Sequence, residues 1–264
     1  MSGELQQIQY LGPKLEVAVG GVRLDDCIVS FNVWSSRFVP GDIAEVHADA
    51  KYVDTGSIRE NDPLTIRWGY KGFALAPIFA GLVAAVRPGA AGKRLKILGV
   101  DPMKRLFETR LTKTFQNERP TVILRNLLAP LGIDTTGVAE VETILDRLPL
   151  HDDHIVHAIR TLNRRLGLAY DFWFEVAGAF HWAPLSIPAA PAWNFVYGQD
   201  LIEFERRQGG ARMTTIGVPA RHGERVTVQT AVSESLDFWV AEAHHYQPPG
   251  RGFRTDLSLR EVPA

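Results

Sequence analysis

The stretch "VAEAHHYQPPGRGFRTDLSLR", Val240 to Arg260, decides the fold because it has the pattern of a β-hairpin. Apolar and polar residues alternate from Phe253 to Arg260, which predicts a strand with one buried and one exposed face. A less regular strand precedes it, and the loop from Gln247 to Gly252 holds two prolines and two glycines. Neighbouring strand residues point to opposite faces, so His244 and His245 diverge. The pair is therefore interpreted as structural and not as a metal site.

An earlier hairpin echoes this stretch 160 positions upstream. Aligned without a gap, Phe79, Val83, Val86, Pro88, Gly92, Arg94 and Ile97 match Trp239, Ala243, Tyr246, Pro248, Gly252, Arg254 and Leu257. Matched strands and loop in one register predict that a single β-barrel is used twice. On this alignment the two histidines fall at Ala84 and Ala85, which also favours a structural role.

The flanks of the chain are predicted to be β-barrels. From Lys14 to Gly99, short alternating segments are separated by turn residues, with no long helix between them. After Ala192 the chain is strand-like again, and Gly209-Gly210 is interpreted as a turn. We therefore expect a mainly β fold with an α+β insert. The predicted domains are an N-terminal tail at 1–13, a first tube-like barrel at 14–100, an α/β domain at 101–187 and a second tube-like barrel at 188–264.

The middle of the chain contains the predicted helices. One begins at Pro120 and ends at Gly132, with apolar residues at three- and four-residue spacing. A second is expected to begin near Asp152-Asp153, where acids suit a helix N-terminus, and to end at Gly167. Two short strands should follow, Ala169 to Val176 and Phe180 to Ala183, with Ala177-Gly178 as their turn.

Composition narrows the possible classes of protein. The 264 residues are 45% hydrophobic with a formal net charge of -1, so a large core is possible and no general nucleic-acid footprint is present. The single cysteine, Cys27, excludes an internal disulfide and is expected to be a buried, unreactive thiol. No apolar stretch approaches the ~20 residues of a membrane span, and the N-terminus lacks a signal-peptide core. We expect a soluble protein made in a cytoplasm.

No motif predicts a catalytic, cofactor or metal site. His154 and His157 lie three residues apart after His151, which leaves a metal site open, but a polar first helical turn fits the pattern better. The acid pairs Asp25-Asp26 and Asp152-Asp153 are sequence neighbours and not a spatial dyad. Nucleophile-elbow, phosphate-loop and dinucleotide motifs do not occur.

A cluster of aromatic residues in the middle of the chain leaves two interpretations open. Strand alternation places Phe172 and Phe174 on one face and Trp173 on the other. The cluster is either a platform for sugar rings or, as favoured, a core with one exposed or interface ring. Its members are Phe172, Trp173, Phe174, Phe180 and Trp182.

The order of these segments resembles a known family. It is similar to that of phage tail baseplate hub proteins of the late-control D type, and to the N-terminal part of type VI secretion spike proteins. The stretches that carry the resemblance are "DPMKRL" (101–106), "RPTVILRNLLAPLGI" (119–133), "HDDHIVHAIRTLNRRLGLAYDFWFEVAGAFHWAP" (151–184), "NDPLTIRWGY" (61–70) and the closing "VAEAHHYQPPGRGFRTDLSL".

The resemblance implies a structural role without catalysis. Three chains with two similar barrels each would form a trimeric, pseudo-hexameric ring that joins a hexameric tail tube or distal tail protein to a three-fold spike. The spike or tip is expected to be a separate chain, DNA to be present only in transit, and the protein to reside in the virion tail tip after assembly in the host cytoplasm. The alternatives are a carbohydrate-binding or adhesive tail module and, less favoured, a cell-wall hydrolase.

Overall fold

The computed structural model describes residues 12–89, 93–176, 178–232, 234–248 and 252–262. Most of the predicted N-terminal tail therefore lies outside the described residues, as do Gly92, Ala177, Pro249 and Gly250, which belong to predicted turns. Nearly all of the predicted strands and both predicted helices are present, with shifted ends. The mainly β class with an α+β insert is confirmed.

Three groups of elements follow one another along the chain. The first has seven strands: β1 (Pro13–Val19), β2 (Val22–Arg23), β3 (Ile28–Ser36), β4 (Ile43–Asp49), β5 (Pro63–Tyr70), β6 (Ala76–Pro88) and β7 (Arg94–Val100). The middle group has α1 (Met103–Glu108), β8 (Arg110–Glu118), α2 (Pro120–Leu128), β9 (Gly137–Val138), β10 (Leu145–His154), α3 (Ile155–Leu166), β11 (Tyr170–Phe174) and β12 (Phe180–Pro184). The last has β13 (Trp193–Val196), β14 (Leu201–Arg207), β15 (Gly210–Ile216), β16 (Arg225–Gln229), β17 (Ser235–Tyr246) and β18 (Arg254–Glu261).

Each group has its own apolar core. In the first, one face of every long strand is buried in a common cluster that includes Phe31, Ile66 and Ile97. Apart from Phe253, this cluster contains residues of the first group alone, so the sheet curls around its own buried face. The last group does the same around Phe195, Val228 and Leu257. These two groups are the first and second β units, and they correspond to the predicted pair of barrels.

The two β units share a strand order. In the first unit the hydrogen-bonded order is β3-β4-β7-β6-β5, and in the second it is β14-β15-β18-β17-β16. The lateral neighbours differ, because β1 pairs with β5 antiparallel whereas β13 pairs with β16 in parallel. The repeat is therefore a core of five strands with a different sixth strand in each unit.

Register and bulges match in three of the four ladders, whereas β5·β6 has a bulge between Ile66 and Arg67 that β16·β17 lacks. The β3·β4 ladder shifts by one residue between Ile28 and Ser30, and the β14·β15 ladder shifts between Leu201 and Glu203. The bulge between Val83 and Ala85 in β6·β7 has its equivalent between Val240 and Glu242 in β17·β18. Bulges bend strands, so both units turn the same corners at the same places.

One correction to the predicted repeat concerns its spacing. Ile97 and Leu257 are equivalent at an offset of 160 residues, but Val83 is equivalent to Val240, at an offset of 157. The connection between β17 and β18 is therefore three residues longer, and the gap-free alignment is wrong for the first strand of the hairpin. His244 and His245 correspond to Arg87 and Pro88, and not to Ala84 and Ala85.

The two β units are joined edge to edge. The C-terminal half of β17 leaves β16 and pairs with β3, with Tyr246 opposite Asn32 and Glu242 opposite Ser36. The joint sheet contains the run β14-β15-β18-β17-β3-β4-β7-β6, eight strands in which the two units each supply four. We call this run the wall, and we call its surface opposite the two cores the wall face.

The middle group packs around a separate core, with α2 and α3 against Phe115, Phe180 and Trp182. Gly132 and Gly167 take left-handed conformations (φ 64° and 63°) that end these helices. The helix expected from Asp152-Asp153 begins instead at Ile155. The acids stay in β10 because Thr112 accepts a hydrogen bond from the Asp152 amide and Asp153 accepts one from the His151 amide.

Candidate functional site

The wall face carries a cavity where the two β units meet. A groove of about 500 Å³ crosses it and is lined by residues of six adjacent strands, β14, β15, β18, β17, β3 and β4. The loop between β3 and β4 also lines the groove, through Val39 and Gly41. The lining includes Trp34, Ile43, Arg207, Arg212, Glu242, His244 and Asp256.

Charges on the wall face nearly cancel. Glu45 bonds Lys96 at 2.7 Å and His47 at 2.5 Å, and Asp256 accepts hydrogen bonds from Thr214 at 2.8 Å and Tyr246 at 3.3 Å. The acids on this face are Glu45, Asp49, Glu203, Glu205, Glu242 and Asp256, and the bases are Arg87, Arg94, Lys96, Arg207, Arg212, Arg254 and Arg260. Paired charges of both signs make a surface that holds phosphate weakly.

The two adjacent histidines lie on opposite faces of β17, as predicted. His244 lies on the wall face, stacked on Trp34 with ring centroids 4.8 Å apart and bonded to Asn32 at 3.0 Å. His245 is fully buried, and its ring contacts Trp68 of the first core at 5.0 Å between centroids. Burial lowers the pKa of His245 to about 3. Both histidines therefore serve the contact between the β units.

A buried polar cluster joins the two β units at one end of the wall. Asp42, between β3 and β4, pairs with Arg221 of the second unit at 2.9 Å, and His222 lies 3.9 Å from the same carboxylate. The main-chain amide of Asp101 donates to the carbonyl of Asp42 at 3.0 Å. Of these residues, only Asp101 falls in one of the stretches that carry the family resemblance, "DPMKRL" (101–106). The others carry no local pattern that marks them as partners.

Burial perturbs the pKa values in this cluster. It raises the pKa of Asp42, and burial together with the neighbouring charge of Asp42 raises the pKa of Asp101 to about 7. Burial and the positive charge of Arg221 lower the pKa of His222 to about 3. Perturbed carboxylates also occur at active sites. Here Asp42 and Arg221 form an ion pair with each other across the packed junction of the two β units, which is a structural arrangement.

The aromatic cluster in the middle group is a core with one interface ring. Phe172, Phe174, Phe180 and Trp182 are buried. Trp173 lies on the other face, with the Arg37 guanidinium 3.1 Å from its ring centroid and the His181 ring stacked at 4.8 Å. Two groups can approach one ring this closely only from opposite sides. Arg37 also pairs with Asp171 at 3.3 Å, so Trp173 docks the middle group onto the first β unit.

The remaining candidates have structural partners or lie apart. Asp25 accepts a hydrogen bond from the Val17 amide at 2.8 Å, Asp152 pairs with Arg110 at 2.5 Å, and His157 lies 3.9 Å from Asp153. Cys27 is half-buried, so the expected full burial of the thiol is wrong. Among the described residues, no three potential ligand side chains lie close enough to hold a metal ion. In the part of the chain that is described, no helix has the length and apolar character of a membrane span.

Solved structures share this architecture. No protein-family model matches the sequence, and no curated protein matches it significantly. The 43 kDa tail protein of prophage MuSo2 from Shewanella oneidensis superposes with a TM-score of 0.75 at 12% identity, over 95% of this chain and 98% of that one. A tail protein from Neisseria meningitidis MC58 gives a TM-score of 0.73 at 13% identity, over 95% and 97% of the two chains.

A third similar structure comes from a secretion system. The Escherichia coli c3393 protein, described as a type VI secretion component similar to the T4 tail proteins gp27 and gp5, gives a TM-score of 0.67 at 8% identity. The match covers 94% of this chain and 77% of that chain. Similarity at such low identity is a similarity of fold. From one end of the described residues to the other, the chain has the fold of phage tail proteins.

Proposed function

We propose that this protein is a structural hub of a phage tail or a phage-derived particle, in which three chains form a ring of six similar β units. The observation that carries the proposal is the five-stranded repeat, which has the same strand order and, apart from one bulge in β5·β6, the same register and bulges. A ring of three such chains contains six similar β units, which nearly six-fold symmetry relates. The chain connections between these units have three-fold symmetry. It would bind a hexameric tail tube on one side and a three-fold spike or tip on the other.

The wall supports a channel-lining role for the repeat. It is one sheet of eight strands with a groove on the face away from both cores, and its charges nearly cancel. Three walls side by side would enclose a passage whose surface does not grip phosphate. DNA would be present only in transit. The proposed domains are therefore barrels at 14–100 and 188–264 and a third domain at 101–187. The Arg37–Trp173 contact would hold this third domain on the outside of the ring.

The geometry gives little support to the other candidate functions. Both sides of the Trp173 ring are covered, so it offers no open face for a sugar. The buried Asp42 is paired with Arg221, so a hydrolytic role would need that pair to open. A glycan array and a zymogram on the purified protein should therefore both be negative. Specific glycan binding or wall-degrading activity would contradict the proposal.

Native mass spectrometry tests the ring. The expected species is three times the 29.3 kDa of one chain, in full-length protein at its highest soluble concentration and in material extracted from purified particles. A monomer in both samples, or a closed species with another number of chains, would contradict the proposed ring. Particles in which the protein is located by labelled antibody at the tail end would support its placement in the virion, and a capsid location would oppose it.

A further inference from the structure

Each of the two strand edges that pair between the β units has an equivalent edge elsewhere in the same chain. Within the chain, the edge of β3 pairs with the C-terminal half of β17. By the repeat, β14 is the equivalent of β3, and the C-terminal half of β6 is the equivalent of that half of β17. Among the described residues, the outer edge of β14 has no strand partner apart from an isolated bridge between Leu201 and Tyr197, and β6 has none on the β5 side beyond Val83. The chain thus presents two edges, on β14 and β6, that are equivalent to the two strands that pair inside it.

We propose that β14 of one subunit pairs with the C-terminal half of β6 of a second copy of this chain, in the register of the β3·β17 contact. The inference rests on the proposed ring and specifies its lateral contact. A head-to-tail contact of this kind joins two different surfaces of the chain. Every subunit can use both surfaces in a closed assembly only if the subunits form a ring. It would extend the wall across the subunit boundary. The strand pairing would be the same as the one that joins the two β units inside the chain.

The repeat fixes the register of this contact. Inside the chain, Asn32, Val33 and Trp34 lie opposite Tyr246, His245 and His244. Offsets of 173 residues from β3 to β14 and 157 from β6 to β17 follow from the matched ladders. The expected intersubunit partners are therefore Glu205 with Gly89, Arg206 with Pro88, and Arg207 with Arg87.

Side-chain chemistry fits that register. Inside the chain, His244 bonds Asn32 diagonally across the two strands at 3.0 Å. The equivalents are Arg87 and Glu205, which carry opposite charges, and Glu205 already pairs with Arg207 at 2.7 Å. Glu205 would lie between two guanidinium groups, which offsets the repulsion between Arg207 and Arg87.

Pro88 limits the length of the new ladder. It stands at the position of His245 and has no N–H to donate, which is typical of a strand edge. An exposed edge carrying proline and charged residues resists random pairing of sheets. The contact is therefore short and selected by charge, in contrast to the longer internal one.

Cysteine cross-linking tests the register. In a Cys27→Ser background, Arg87→Cys combined with Arg207→Cys places two thiols directly opposite each other on the wall face. Arg87→Cys combined with Arg206→Cys is the matched control, because Arg206 points to the opposite face of β14. Oxidation should give covalent dimers and trimers with the first pair and monomers with the control. Equal cross-linking of both pairs, or cross-linking of the control alone, would overturn the register.

A charge swap tests the pairing of Glu205 with Arg87. Glu205→Arg should weaken trimer association at least about fivefold, because it brings three guanidinium groups together, and adding Arg87→Glu should recover most of the loss. Both side chains are solvent-accessible, and unchanged thermal unfolding of the monomer checks that each variant folds. A double variant no better than Glu205→Arg alone would overturn the contact.

The outcomes separate this inference from the ring itself. If the native mass shows three chains but neither cross-links nor charge rescue appear, the ring stands and the lateral contact lies elsewhere. If no oligomer of the wild-type chain is found even in extracted particles, both the ring and its lateral contact are wrong.

Discussion

Replacing Asp101 by Asn should stabilise the protein at alkaline pH and leave it nearly unchanged in acid. The Asp101 side chain is 5% exposed, beside Asp42, and its carboxylate accepts a hydrogen bond from the Met103 amide at 2.9 Å. An Asn side chain keeps an acceptor for that amide and carries no charge. The substitution therefore removes the cost of ionisation and little else.

The magnitude follows from the pKa of Asp101. It rises from 3.8 when the chain is unfolded to about 7 when it is folded. Between these values the folded protein binds a proton that the unfolded chain has lost, so the stability from this group is complete in acid and falls as pH rises through the window. At 1.36 kcal/mol per unit, the loss by pH 8 is about 4 kcal/mol, an upper figure if the site relaxes.

Urea unfolding at several pH values between 4 and 8, followed by tryptophan fluorescence, measures the effect. The two buried histidines His222 and His245 act in the opposite direction, since their lowered pKa values cost stability as pH falls. Their contributions cancel when the variant is compared with wild type at each pH. Asp101→Ala is the control: it removes the charge and also the acceptor for Met103, which costs about 1–3 kcal/mol. A difference between Asp101→Asn and wild type that does not grow with pH would refute the reasoning.

Three further predictions concern stability. Phe31→Ala, in the fully buried first core, should cost about 3–5 kcal/mol in urea unfolding, whereas Phe204→Ala at the equivalent but half-buried position should cost less than half as much; equal costs would contradict the difference in packing. Arg37→Ala should cost about 1–3 kcal/mol and speed proteolysis of the middle group, with Arg37→Lys recovering little because it lacks the planar guanidinium over Trp173; full recovery by Lys would show that charge alone matters. Gly210→Ala should cost at least about 1–3 kcal/mol, because a Cβ there meets the Leu259 carbonyl, and a neutral result would show that β15 can shift.

Much of the fold could be predicted from the sequence because the buried strands alternate cleanly. β4, β7 and β18 are each buried at every second residue, and this pattern is visible in the letters. β8 escaped prediction because Phe115 is its only fully buried residue and, apart from Leu111, the rest is polar. The helix at Ile155 was placed too early because acids that suit a helix start were instead held by hydrogen bonds in β10.

The repeat was found, but its register was not. Proline and glycine align in any two hairpin loops, and this similarity hid the three extra residues between β17 and β18. The bulges that set the register leave no sequence signal, since any residue can occupy them. The buried cluster of Asp42, Asp101 and Arg221 was missed for a related reason, because its members come from three separate segments that meet only in the fold.

The most direct test of the account is a cryo-EM map of the assembled particle in which this chain is traced. The account predicts three copies around the tail axis, six β units superposable by rotation, and Trp34, Glu45 and Asp256 facing the channel. A map with a different number of copies, or with the wall face turned away from the axis, would contradict it.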